Sequence, residues 1–425
     1  MPSVWILNHY AALPSEVGGT RHIELARRLV ERGFEVTLIS SAFRHATRTA
    51  VDTKGKRYRV DNVDGVQSIR LRAMSHYHSR EGARILNMIE FALRAWRAGR
   101  SRFHGIAAEP DVVVGSSPHL LAALAAARLA RKFDVPFIFE VRDLWPETFV
   151  ALGRFSRKHP IVRILHHIER RMYRRATRII SLLPDAWRYI EGAGGAREMV
   201  TWIPNGASIP ASAGEQTRRR EREACTVMYV GAHGRANTLE DLVSAAGLVA
   251  KMEDGIRFVL VGDGPEKARL MQQAGTLGLQ NLEFRAPLPK QRVPELLRTA
   301  DVLVALLEDT PLYSYGVALN KLFDYMAAGR PVVFAGRVSH DYVAEAGCGL
   351  TIPPRNPSAL ATAIVQLARM PEEERKTMGE RGRSYVREHH DWDLLADRLA
   401  DALHEAVAAS PMHKMMGRDD LDRMM

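Results

Sequence analysis

A chain of 425 residues is longer than the roughly 250–300 residues that one hydrophobic core usually serves, so two domains are expected. Its 46% apolar and 26% charged residues exclude a disordered or fibrous protein, and the two cysteines, Cys225 and Cys348, are too few for a disulfide framework or a thiolate cluster. The net charge of +11 is uneven: residues 1–205 carry 33 Lys and Arg against 19 Asp and Glu, the remainder 27 against 30. The basic half is therefore expected to meet an anionic partner, either nucleic acid or a membrane surface.

The first predicted strand covers residues 4–8, with no basic leader before it, which argues against a signal peptide and for a cytoplasmic protein. A loop follows to Gly18 and Gly19. Thr20 is placed to cap a helix over 21–32 that Gly33 ends, and 35–40 is the next strand. Two later stretches are basic and amphipathic. Residues 84–103 set Ile85, Met88, Ile89, Leu93 and Trp96 on one stripe, with Arg94, Arg97, Arg100 and Arg102 about it. Residues 161–173 set Ile161, Ile164, Leu165, Ile168 and Met172 on another, amid a field of arginines from Arg154 to Arg178. Either each stripe faces the core, or the helices lie on an anionic membrane and gain roughly 1 kcal/mol per basic residue near the surface. No stretch approaches the roughly 18 apolar residues needed to cross a bilayer.

Strands over 112–115, 137–141 and 178–182 alternate with helices, the pattern of a parallel, doubly wound sheet. The Gly-, Ser-, Pro- and Arg-rich stretch from Asn205 to Glu223 reads as a linker. A second series of strands covers 226–230, 257–261, 281–284, 302–306 and 331–335. The expected fold class is α/β, two Rossmann-like doubly wound domains facing a central cleft. The domains are 1–208 and 224–410, joined by a linker over 209–223 and followed by a flexible tail, 411–425.

Chemistry gathers at predicted strand ends and helix starts. Asn320 opens a helix with Lys321 in its first turn, where the macrodipole is already positive; an anion docked there reverses the sign of that interaction. Asp324 lies three residues on, sharing that face and offering acceptors for a sugar diol. A solvated Lys–Asp pair is the plain alternative. Gly18 and Gly19 before Arg21, Gly231 before Arg235, and Gly262 each follow a strand. Glycines there admit a ligand to the backbone, or they form ordinary loops and turns. None matches G-x-G-x-x-G, so a nicotinamide cofactor is unsupported. Asp143 can position or deprotonate an acceptor hydroxyl, or simply pair with Arg142. Asp391 and Asp393 spell D-x-D, but they precede a helix over 394–408, so Asp391 reads as a cap and no metal is expected.

Taken together, the Gly18-Gly19 loop, Ser116-Ser117-Pro118, the run EVRDLWPE from Glu140 to Glu147, IPNG from Ile203 to Gly206, Tyr229-Val230-Gly231, VGDGP from Val261 to Pro265 and the block from Lys321 to Pro331 carry a family likeness. The sequence resembles the family 4 glycosyltransferases of the GT-B fold, in the fucosamine-transferase-like branch that builds bacterial surface polysaccharides. The resemblance runs over nearly the whole chain. It implies retaining transfer of a sugar from a nucleotide-diphosphate donor, a UDP-sugar, without metal or cofactor. The implied acceptor is a saccharide or is linked to a polyprenyl diphosphate, reached at the inner face of the cell membrane. Donor contacts are expected from Gly18, Gly19, Gly231, Arg235, Gly262, Asn320, Lys321 and Asp324, and catalytic roles for Asp143, Arg235 and Lys321. The last helix is expected to pack back on the N-terminal domain.

The chain departs from that family at several points. Asp324 stands at the second Glu of the E-x7-E motif, and Gly316 at the first. Asn237 stands near the usual phosphate-binding Lys, which makes Lys321 the substitute. Many relatives place a His before an acidic residue where this chain has Arg142-Asp143. The rival readings are a nucleotide-sugar 2-epimerase and a non-catalytic nucleotide-sugar-binding partner. A nucleic-acid binder finds no motif to support it.

Overall fold

The structure is a computed structural model and describes residues 1–73, 81–151, 153, 155–209 and 224–409. The predicted linker from residue 210 on, the tail and Arg154 lie outside the described residues. The chain divides into two compact units, Met1–Pro204 with Trp392–Met425, and Asn205–Asp391. The boundary thus falls at Pro204 rather than at 208, and the last helix belongs with the first unit. By sequence the first unit holds 37 basic and 26 acidic side chains and the second 23 of each, so the whole net charge resides in the first.

In the first unit the strands are β1 (Ser3–Leu7), β2 (Glu35–Ser41), a small antiparallel pair β3 (Phe43–Arg44) and β4 (Thr49–Ala50), β5 (Tyr58–Val63), β6 (Val66–Leu71), β7 (Val112–Ser116), β8 (Phe137–Val141), β9 (Arg178–Ser181) and β10 (Val200–Trp202). The large sheet has the order β10-β9-β8-β7-β1-β2-β6-β5. It is parallel except for the β5–β6 hairpin, whose Asp64-Gly65 turn has both φ angles positive, as a tight hairpin requires. Parallel strands covered on both faces read as unbroken apolar runs, and β1 is buried at all five positions. The helix Arg21–Glu31 and the helix Trp392–Ala408 share one core with Val4, Ile6, Val36 and Val114, through Ile23, Leu29, Leu395, Leu399 and Leu403. Strand order reverses between β1 and β7, so a ligand crevice is expected beyond their carboxyl ends.

In the second unit β11 (Cys225–Val230), β12 (Ile256–Val261), β13 (Leu282–Arg285), β14 (Val302–Leu306), β15 (Val332–Ala335) and β16 (Gly349–Ile352) form a parallel sheet. Its order, β13-β12-β11-β14-β15-β16, is that of a dinucleotide-binding sheet, with the reversal between β11 and β14. Alternation along β11 serves two cores. Val227 and Tyr229 pack toward the helices Leu239–Met252 and Pro357–Arg369, while Met228 packs toward the helix Asn320–Ala327.

One local expectation is corrected, and two helices choose between the alternatives left open for them. Thr20 makes no side-chain cap hydrogen bond. In the helix Glu81–Gly99 the core takes Asn87, Met88, Phe91 and Ala95, and Ile85, Leu86, Ile89 and Leu93 stay exposed. In the helix Pro160–Arg175 the core takes Val162, Glu169, Met172 and Tyr173, leaving Ile161 and Ile164 exposed. Of the two alternatives left open for each stripe, the core-facing one is not met at these isoleucines and leucines; buried polar groups that find partners, such as Glu169 with the Tyr173 and Tyr189 hydroxyls at 3.0 Å, share the core faces instead.

Candidate functional site

The second unit places its chemistry where its strand order reverses. Gly231 follows β11, and Gly262, whose φ is +147°, follows β12. A Cβ on Gly262 would stand 1.9 Å from the Gly231 carbonyl oxygen, and one on Gly264 would stand 2.4 Å from that of His233. The two loops are laced together by the His233 amide donating to Asp263 O at 2.8 Å and the Glu266 amide donating to His233 O at 3.0 Å. Only glycine permits that approach.

Lys321 is the second residue of the helix Asn320–Ala327. Its Nζ donates to the Tyr229 hydroxyl at 3.0 Å and to Asn237 Oδ1, and it lies 4.8 Å from the centre of the Tyr229 ring. Tyr229 and Asn237 Nδ2 in turn both donate to Ala232 O at 2.8 Å. No carboxylate pairs with this ammonium among the described residues, and desolvation lowers its pKa to about 7. A crowded cation whose protein partners are all neutral leaves its charge available to an anionic guest. Tyr325, on the same helix, fixes the distance to β11 by accepting the Val230 amide at 2.7 Å and donating to Val230 O at 2.9 Å. Among the described residues the amides from Val317 to Lys321 have no intramolecular acceptor, so the helix also presents free N–H groups.

Asp324 does not reach Lys321; one of its carboxylate oxygens takes Lys290 Nζ. Arg235 is exposed and has no ion-pair partner among the described residues. Asn320 is half-buried. Gly316 has φ +99°, a conformation that a side chain rarely adopts. The absent first Glu of the motif is thus built into the backbone path. Lys290 and the Tyr229 hydroxyl were not singled out from sequence. Lys290 opens a one-turn 3₁₀ helix, Lys290–Arg292, whose contact with Asp324 leaves no local pattern, whereas Tyr229 stands one strand period before Gly231, a readable position.

In the first unit Gly18 and Gly19 are exposed, and Gly18 has φ +146°. Arg21, which follows them, does not offer its charge to a ligand. Its guanidinium, 2% exposed, donates to Glu140 Oε1 at 2.9 Å, to Ile203 O at 2.8 Å and to Pro204 O. His22 Nε2 meets the other Glu140 oxygen at 2.7 Å. Burial works to raise the Glu140 carboxyl, but His22 and Arg21 outweigh it and hold it well below the usual range. Asp143 keeps an exposed side chain in crowded surroundings whose desolvation raises its carboxyl, against the pull of Arg142. The D-x-D aspartates diverge: Asp391 pairs backbone with Ala207, while Asp393 takes Arg28 at 3.3 Å and Arg32 at 3.6 Å.

Comparison with known proteins bears on the fold and the family. Residues 18–206 match the family profile "Glycosyl transferase 4-like domain" and residues 224–370 that of "Glycosyl transferases group 1". The chain is 25% identical over 392 residues to the 2-deoxystreptamine N-acetyl-D-glucosaminyltransferase of Streptomyces fradiae, covering 86% of this chain and 87% of that one. It is 22% identical to the putative colanic acid biosynthesis glycosyl transferase WcaI of Escherichia coli (strain K12), over 62% and 68%. Among solved structures, Anabaena Alr3699/HepE in complex with UDP and glucose superposes with a TM-score of 0.67 at 15% identity, over 95% and 100%. With one profile on each unit and a full-length structural match, the chain belongs to the glycosyltransferases of the GT-B fold.

Proposed function

We propose that this protein is a retaining glycosyltransferase that moves a sugar from a UDP-sugar to a lipid-linked or saccharide acceptor in cell-surface polysaccharide biosynthesis. The observation that carries the reading is Lys321, a desolvated ammonium with neutral partners only, at the amino end of a helix and the strand-order reversal of its sheet. The donor diphosphate sits there on the free amides, with the glycine loops at Gly231 and Gly262 allowing close approach and Arg235 adding charge. As the sugar departs, negative charge grows on the diphosphate, and these groups stabilise it. The remaining oxygen of Asp324 accepts a ribose hydroxyl. In the first unit, the raised carboxyl of Asp143 positions the acceptor hydroxyl. The UDP complex of the Anabaena protein and the biosynthetic role in the name of WcaI support the donor and the pathway class.

The same reading sets the protein on the cytoplasmic side of an anionic membrane. It is supported by the exposed Ile85, Leu86, Ile89, Leu93, Ile161 and Ile164 on basic helices and by the charge excess of the first unit. No helix among the described residues is long and apolar enough to cross a membrane.

The test is a panel of nucleotide diphosphates and their sugars scored by thermal shift, then by turnover with membrane-derived acceptors. A ligand at a hundredfold excess over its Kd adds about 2.7 kcal/mol to stability. Failure of every UDP compound to shift the transition refutes the donor. An isomerised donor formed without acceptor would establish the epimerase instead.

A further inference from the structure

The carboxyl ends of β1 and β7 carry a second group of side chains that the donor chemistry does not use. His119 Nδ1 accepts the Ala122 amide at 3.3 Å, so the proton of the neutral ring sits on Nε2. That nitrogen lies 2.6 Å from His9 Nδ1 and donates to it. The His9 proton is thereby fixed on Nε2, and the Asn87 side chain acts on the ring as a hydrogen-bond partner. The His9 ring is held between Phe91 at 4.3 Å and Tyr10 at 4.4 Å, and Tyr10 stacks on His45 at 4.6 Å. Arg84 lies one helical turn before Asn87. Its Nε is buried without a partner, and it forms no ion pair among the described residues.

Burial first, and Arg84 second, lower His119 to about 3 and His45 to about 4, with Arg48 adding to the effect on His45. Burial, His119 and His45 hold His9 well below its usual value. The charged groups acting on these rings are thus arginines and each other, with no carboxylate among them. A guanidinium that has no counter-ion among the described residues, amid three neutral imidazoles, leaves room for one component, an anion.

We propose that Arg84, His9, His45 and His119 form a binding site for the diphosphate of a polyprenyl-diphosphate-linked acceptor. The proposal rests on the glycosyl-transfer reading above and names the residues that take the acceptor. The helix geometry fits that ligand: Arg84 and Asn87 turn inward, while Ile85, Leu86, Ile89 and Leu93 form an exposed apolar ridge along which the prenyl chain lies.

The test is calorimetric titration of the full chain, saturated with UDP so that the donor site is filled, with geranyl diphosphate and separately with inorganic pyrophosphate. Geranyl diphosphate is expected to bind more tightly than pyrophosphate, with proton uptake at pH 6 as the imidazoles charge beside it. Arg84→Gln should weaken it about tenfold or more and leave UDP affinity unchanged, which also shows that the variant is folded. Arg84→Lys should retain part of the binding. Insensitivity to Arg84→Gln overturns the site, and equal affinity for pyrophosphate overturns its assignment to a lipid diphosphate. If UDP itself fails to bind, the donor reading fails instead.

Discussion

UDP binding should be coupled to a proton on Lys321. Desolvation brings this ammonium from 10.5 to about 7, which disfavours the charged form by roughly 4–5 kcal/mol, less whatever solvent reaches its half-buried side chain. A diphosphate binds the charged form, and its own last ionisation, near pH 6, is complete above pH 7. At pH 7 about half the free protein carries the proton, and at pH 9 about 1% does, so UDP affinity should fall by up to about 50-fold between them. Calorimetry at pH 6, 7, 8 and 9, in pairs of buffers with different ionisation enthalpies, reads both the affinity and the proton taken up. Lys321→Arg, charged throughout, should flatten the profile. A parental protein whose UDP affinity is constant from pH 7 to 9, or a Lys321→Met variant with the same slope, would refute the assignment.

The same residue makes an opposite prediction for the empty protein. Because its folded pKa lies below the unfolded one, apo stability should rise as pH goes from 7 to 10.5 and be lowest below 7; Lys321→Met should therefore gain about 1–3 kcal/mol at pH 6 in urea unfolding while losing UDP binding. Glu140→Gln leaves Arg21 buried and uncompensated and should cost about 3–5 kcal/mol, read as a lowered urea midpoint at pH 7. Gly316→Glu, which restores the family's residue at a φ of +99°, should cost about 1–3 kcal/mol and leave turnover no higher than parental. Ile85→Glu with Ile164→Glu should abolish sedimentation with anionic vesicles while preserving UDP binding, whereas equal recovery of parent and variant in the supernatant contradicts membrane docking.

The strand–helix alternation was legible because each strand buried on both faces is an apolar run between turn residues, as in β1 and β11. Lys321 was legible for the opposite reason: a cation in a first helical turn breaks a local rule. What sequence did not disclose is partner choice across the fold. Arg21 has the same local signature as Lys321, yet Glu140, 119 positions away, claims its charge. Asp324 shares a helix face with Lys321, yet Lys290 takes it. The amphipathic stripes alone did not decide between core and surface, because Glu169 and Asn87 are buried polar residues, which an apolar count places outside. The histidines at 9, 45 and 119 are so far apart in sequence that nothing along the chain connects them.

The return of Trp392–Ala408 to the core of Val4, Ile6 and Val114 makes the first unit discontinuous in sequence and the second an uninterrupted insertion within it. Nascent first-unit chain must therefore wait until residues 392–408 have emerged before its last apolar face is covered, while the second unit can close as soon as residue 391 has emerged. A gene cut after codon 391 should yield a nucleotide-binding lobe on an aggregation-prone partner, whereas residues 205–391 alone form a natural excision product.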